Sequence, residues 1–167
     1  MNNRITTLQS LYNDILKAYE LSSDSSDNRF ELSDIRYLVE KYDGTDWKLY
    51  VKYLDDDYNK ILMYKNNDFD VYIICWKKGQ STRIHDHPVS GCLMKVLHGS
   101  LEENLYRNNN YLGKINNLKF ICKNILNIND VGYQINNNII HGIIAHEDSV
   151  SLHIYSPSNY QSKNYNY

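Results

Sequence analysis

The sequence predicts a mainly β fold, a small β-barrel preceded by short N-terminal α-helices, and two features of the residue pattern carry that prediction. Apolar residues recur three and four apart only before residue 45, and from Trp47 onward they fall into short runs rich in Tyr, Ile and Val, separated by Asn, Asp and Gly. The chain of 167 residues is within the usual range for one domain. It divides on this reading into helices over 1–45, a barrel over 46–157 and a polar tail over 158–167.

Ile5, Leu8, Leu11, Tyr12, Ile15, Leu16 and Tyr19 form one apolar stripe, so residues 5–20 read as an amphipathic helix. The polar stretch 22–28 is turn-forming. A second helix follows, marked by Ile35, Leu38, Val39 and Tyr42, with Ser33 as its cap and Asp43-Gly44 as its end. Seven strands are predicted next, at 47–53, 70–76, 92–98, 100–106, 118–124, 139–145 and 149–156. Gly99 suits a tight hairpin between two of them, and Asn108-Asn109-Asn110 with Gly113 marks a looser loop. The tail from residue 159 is aperiodic, and reads as disordered or as an edge extension.

Composition narrows the function. The charge of −2 comes from interspersed signs, with no Lys/Arg cluster of the kind nucleic acid requires, so no nucleic-acid partner is expected. No apolar run approaches the roughly 18 residues of a membrane span, and the first 20 residues lack the continuous apolar stretch of an export signal. The three cysteines, Cys75, Cys92 and Cys122, are widely spaced with no CxxC pair, which fits a reducing cytoplasm. A monomer is expected.

His85 and His87 are separated by one residue, which in a strand puts both imidazoles on one face and turns Asp86 away. Two surface histidines beside Pro88 would read the same. The frame sharpens the signal: Gly79, five residues, His85-x-His87, four residues, Cys92, six residues, Gly99. It resembles the first signature of the cupin superfamily, whose barrel is a double-stranded β-helix or jelly roll and in which a Glu commonly stands where Cys92 is. On that resemblance the third ligand comes from a later strand, with His141 first and His146 second.

The segments ICWKKGQSTRIHDHPVSGCLMKVLHGSLEENLY and SVSLHIYSP resemble the cysteine dioxygenase family of thiol dioxygenases over roughly residues 1–157, and WKLYVKYLDDDYNK is similar to the family's segment before the barrel. The resemblance implies one Fe(2+) on His85, His87 and His141, with no organic cofactor. It also implies a small thiol and O2 as partners, and a role in cysteine catabolism through oxidation of L-cysteine to cysteine sulfinic acid. From the ligands alone zinc fits as well. Three neutral imidazoles leave a divalent iron its full charge and open positions, where a thiolate and dioxygen could meet.

Further expectations attach to single residues. Ser151, His153 and Tyr155 alternate along one strand and so share a face, which the resemblance makes a polar chain beside the metal. Cys92 is expected to form a thioether with Tyr155, against the alternative of a buried free thiol. Tyr58 and Lys60 orient substrate, Lys60 standing where the family's cysteine-specific members have an Arg that grips the carboxylate. An ammonium keeps the charge but not the two-pronged grip of a guanidinium. That substitution leaves open a surface role for Lys60 with Arg83 as the clamp, a different thiol such as 3-mercaptopropionate, and a metal-binding cupin without turnover. Trp76 and Met94 read as core, and Glu102, Glu103 and Asp130 as exposed carboxylates.

Overall fold

A computed structural model describes residues 4–23, 30–108, 118–135 and 138–166. Helix α1 runs Leu8–Ser23 and a 3-10 turn Leu32–Ile35 leads into α2, Arg36–Lys41; a second 3-10 turn covers Asp46–Tyr50. The strands are β1 Asn59–Lys65, β2 Asp70–Trp76, β3 Ile84–His85, β4 Cys92–His98, β5 Leu101–Asn108, β6 Leu118–Leu126, β7 Val131–Gln134, β8 Ile139–Ala145, β9 Ser149–Tyr155 and β10 Asn164–Tyr165. They form two five-stranded sheets, ordered β1-β2-β9-β4-β7 and β10-β3-β8-β5-β6, with antiparallel pairing throughout.

The central strands of the first sheet are buried on both faces; DVYIICW is accordingly a nearly continuous apolar run, while SVSLHIY alternates apolar residues with buried polar ones. Val71, Ile73, Cys75, Leu93, Val150, Leu152 and Ile154 pack outward against Leu8, Leu11, Ile15, Leu32, Ile35 and Val39 of the helical layer. The alternate residues Ile74, Trp76, Met94 and Val96 point between the sheets, where they meet Leu101, Ile143 and Ala145 of the second sheet. Lys95 falls on the helical side of β4 and is 2% exposed. Its Nζ donates to the carbonyls of Val39 (3.1 Å), Glu40 (3.0 Å) and Tyr42 (2.5 Å), so the buried ammonium satisfies the exposed end of α2 and pins that helix to the barrel.

Several expectations change. Helix α1 starts at Leu8 because Thr7 caps it, its Oγ1 accepting the Ser10 N–H at 3.0 Å, while Ile5 bridges to Tyr42 instead. Ser33 is not a cap: it lies inside the 3-10 turn, whose first residue follows Glu31, and Glu31 and Asp34 cap each other reciprocally. The predicted strand 47–53 is a 3-10 turn and loop. Its Trp-x-Leu-x-Val-x-Tyr alternation imitates a strand, but Leu49 is 83% exposed, and Asp46 is held by the Leu8 N–H and the Tyr42 hydroxyl. The edge position beside β2 is taken by β1, which was not predicted, nor were β3, β7 and β10. Gly99 makes no hairpin, since β4 and β5 lie in opposite sheets; it turns the corner between them at φ 70°, where a Cβ would stand 2.4 Å from Ser149 Oγ. Most of the polar stretch 22–28 and of the loop from Asn109 lies outside the described residues.

Candidate functional site

The two sheets enclose an open cavity of about 400 Å³, and the chemistry-bearing residues lie on its wall. His85 ends β3, His87 follows it in a loop, and His141 lies on β8 directly opposite His85 in the ladder. One ligand atom from each of the three lies within 4.8 Å of the others. His87 Nε2 and His141 Nε2 are 3.0 Å apart, about the separation of two nitrogens bound at right angles to one ion at roughly 2.1 Å.

The outer nitrogens fix the tautomers. His85 Nδ1 donates to the Arg83 carbonyl at 2.8 Å, and His141 Nδ1 donates to Glu103 Oε1 at 2.8 Å, so both turn an Nε2 lone pair inward. A divalent cation fits this arrangement, since it is what several converging lone pairs in a buried pocket require. Among the described residues no other cluster of His, Cys, Asp and Glu has this geometry. Burial first, and the neighbouring His141 second, push His85 down to about 4 and His87 well below its ordinary range, keeping both neutral as a ligand must be.

Glu103 reads from sequence as an exposed carboxylate, yet it is 4% exposed and holds His141 in place. It also accepts from Gln134 Nε2 at 3.0 Å and Asn124 Nδ2 at 3.2 Å. Burial would raise its carboxyl, but these hydrogen bonds and His141 outweigh burial and leave it lowered, hence ionised. A signal was present: adjacent residues of a strand point to opposite faces, so one of Glu102 and Glu103 had to face the cavity; Glu102, on the other face, is also only 8% exposed. Glu103→Gln is expected to weaken metal binding roughly 10- to 100-fold, as removal of a histidine's carboxylate partner does, measured by metal titration of the purified variant. His146, the second choice for third ligand, is exposed and pairs at 2.9 Å with Glu102, away from the cluster.

On β9 the alternation places Ser151, His153 and Tyr155 on the cavity side. Trp76 Nε1 donates to Ser151 Oγ at 2.9 Å, Ser151 Oγ lies 2.8 Å from His153 Nε2, and His153 Nδ1 lies 3.2 Å from the Tyr155 hydroxyl. An indole N–H can only donate, so Ser151 Oγ accepts from Trp76, and the serine, the imidazole and the phenol form one hydrogen-bonded chain. The Tyr155 hydroxyl also shares a hydrogen bond with the Cys92 sulfur. Burial pushes His153 well below its ordinary range, in agreement with a neutral ring.

Cys92 and Tyr155 are paired directly across β4 and β9, and Cys92 is 5% exposed. Burial pushes the thiol up to about 12 and the phenol well above its usual value. Lys60, on β1, lines the same cavity, its Nζ 4.2 Å from the ring centre of Tyr72 and 4.3 Å from that of Tyr155. Water reaches the ammonium through the open mouth, yet the surrounding wall strips enough of it away to lower its pKa, against the pull of Cys92 and Asp70. Tyr58 stacks on Trp76 with ring centres 4.6 Å apart, and Arg83 lines the mouth. Trp76 and Met94 are core residues that also border the cavity.

The tail is not a bystander. The Asp86 carboxylate, turned away from the cluster, accepts from the hydroxyls of Tyr160 (2.6 Å) and Tyr165 (3.0 Å) and from the Lys163 N–H (2.7 Å). As the edge-extension reading supposed, Asn164 and Tyr165 form a strand; it pairs with His85 and Ile84.

Comparison with solved structures supports the cupin-type fold. A conserved protein with a double-stranded β-helix domain from Klebsiella pneumoniae is similar at a TM-score of 0.54 and 18% identity, covering 72% of this chain and 94% of that one. The protein TT1209 from Thermus thermophilus reaches 0.52 at 16% identity, covering 68% and 95%. Among the described residues no helix is long and apolar enough to cross a membrane. Cysteine dioxygenase type 1 of Homo sapiens is 35% identical over 133 residues, and that of Danio rerio 32% over 133. The matches take in 75% of this chain but 65% of the length of these relatives. The family model for cysteine dioxygenase type I matches residues 16–167, and with it this chain belongs to the cysteine dioxygenase family.

Proposed function

We propose that this protein is a cytoplasmic thiol dioxygenase that adds both atoms of dioxygen to the sulfur of L-cysteine, giving cysteine sulfinic acid, with Fe(2+) on His85, His87 and His141. The observation that supports it most is the convergence of three imidazoles in a cavity whose opposite wall carries a lysine and a tyrosine. Family membership favours iron over zinc. Bound there, a ferrous ion would bring a thiolate and dioxygen together and carry electrons from one to the other.

The chain's own residues then bind and orient. Lys60 offers an ammonium to the substrate carboxylate, and Tyr58, fixed against Trp76, borders the pocket beside it. The Tyr155 hydroxyl, supported from behind by His153, Ser151 and Trp76 and beside Cys92, offers its proton toward the reacting oxygen or sulfur. Cys92 and Tyr155 are joined by a thioether: the thiol and the ring each lose a hydrogen, a carbon–sulfur bond forms, and dioxygen takes up the two electrons. Intact-mass measurement of protein matured with iron and air is expected to show a species lighter by two hydrogens, absent from Cys92→Ser.

The test of the activity is dioxygen uptake by the iron-loaded protein with L-cysteine, with sulfinate quantified by mass spectrometry. Sulfinate matching the dioxygen consumed is expected. Lys60 favours a second reading, a dioxygenase for another small carboxylate thiol such as 3-mercaptopropionate, because a single ammonium selects a carboxylate less strictly than a guanidinium does. Competition between the two thiols separates these readings, and no uptake with any thiol would leave a metal-binding cupin without turnover.

A further inference from the structure

We infer that Asp86, Tyr160 and Tyr165 form a clamp by which segment 160–165 positions the metal-binding histidines, an inference that rests on His85, His87 and His141 being ligands. The strand that carries His85 has two residues, and on the barrel side its ladder is the single pair His85↔His141. So short a strand does not hold its own geometry; its other edge is closed by β10, through Asn164↔His85 and Tyr165↔Ile84. Asp86, between the two ligands, completes the attachment. Its N–H donates to the Lys163 carbonyl at 3.2 Å, and its carboxylate, 7% exposed, takes the three donors from the same segment.

Side chains alternate at His85-Asp86-His87, so fixing Asp86 from outside fixes the orientation of both imidazoles toward the cavity. Among the described residues no carboxylate touches His85 or His87 themselves: His85 leans on a backbone carbonyl, and His87 Nδ1 is buried with no hydrogen-bond partner. For these two ligands the clamp supplies the orientation that Glu103 supplies to His141. Tyr160 and Asn164 also line the cavity, so the segment that aligns the ligands forms part of the substrate wall.

Tyr160 and Tyr165 are positioning residues, and cobalt(II) titrated into metal-free protein reads their role without any turnover. The Tyr160→Phe/Tyr165→Phe variant keeps both rings and loses both hydroxyl donors. Its cobalt dissociation constant is expected to rise roughly 10- to 100-fold, with visible absorption bands at saturation that differ from the parent's. A dissociation constant within about twofold of the parent and superimposable bands would overturn the clamp. If the double variant does not fold, Tyr165→Phe and Asp86→Asn are read in the same way, each expected to bind cobalt several-fold more weakly. Absence of cobalt binding in the parent would instead remove the histidine assignment, and the clamp with it.

Discussion

His85→Ala is expected to abolish stoichiometric metal binding and thiol-dependent dioxygen consumption together. The remaining pair, His87 and His141, keeps two nitrogens 3.0 Å apart, and two imidazoles without a third ligand or a carboxylate hold ferrous iron poorly. Thermal unfolding gives an independent readout. Metal at about a hundred times its dissociation constant stabilises the folded state by about 2.7 kcal/mol, which raises the melting temperature roughly 5–10 °C in the parent and leaves the variant unmoved. The metal-free proteins differ too. Burial and then the nearby His141 hold His85 at about 4, below the ordinary 6.5 that it has when unfolded. Between those values the unfolded chain binds a proton that the folded one refuses, so metal-free stability falls as pH falls through that window. The alanine variant has lost this contribution and falls less steeply. A variant that still carries one metal per chain would refute the ligand assignment.

The strands legible in the sequence are those that burial fills with apolar residues, β2, β4 and β8 above all, and β9 by its strict alternation. β5 and β6 were legible from their apolar content and the loops that bound them. The strands that went unread owe their conformation to partners far along the chain. β3 and β10, of two residues each, pair with one another across nearly 80 positions, and no local pattern could announce that. β1 is an edge strand in which Ile61 and Met63 pack on the helical side while Lys60 and Leu62 are exposed, and the deceptive alternation of 47–53 competes with it for the place beside β2. In the site, the spacing of His85 and His87 pointed to a shared face, and the ladder pair His85↔His141 brings the third ring to it. Glu103 and Asp86 were missed for different reasons. Glu103 reads as an ordinary carboxylate, although its neighbour Glu102 takes the opposite face of β5. Asp86 was correctly expected to turn away, but its partners Tyr160 and Tyr165 stand in a polar stretch whose composition gives no sign of where it docks.

Lys60→Met is expected to raise the Michaelis constant for L-cysteine roughly 10- to 100-fold while changing the maximal rate far less. A hydrogen bond to a charged group contributes about 1.5–3 kcal/mol, and a contact made equally in the bound substrate and the transition state appears in binding. A thiol without a carboxylate should show no such change. Lys60→Arg is expected to lower the Michaelis constant several-fold, because the guanidinium restores two parallel hydrogen bonds. The pH dependence carries the sign of the charge. Dehydration by the cavity wall lowers the pKa of Lys60, so its ammonium is lost at lower pH than an ordinary lysine's. Substrate binding is present below that pKa and weakens as pH rises through it, whereas arginine stays charged. The ratio of the parent's Michaelis constant to the Lys60→Arg variant's, taken at each pH so that titration of the substrate cancels, is therefore expected to climb before the usual lysine range is reached. A flat ratio, together with an unchanged constant in Lys60→Met, would exclude Lys60 as the carboxylate's partner. Arg83, at the mouth of the same cavity, would then be the residue to replace.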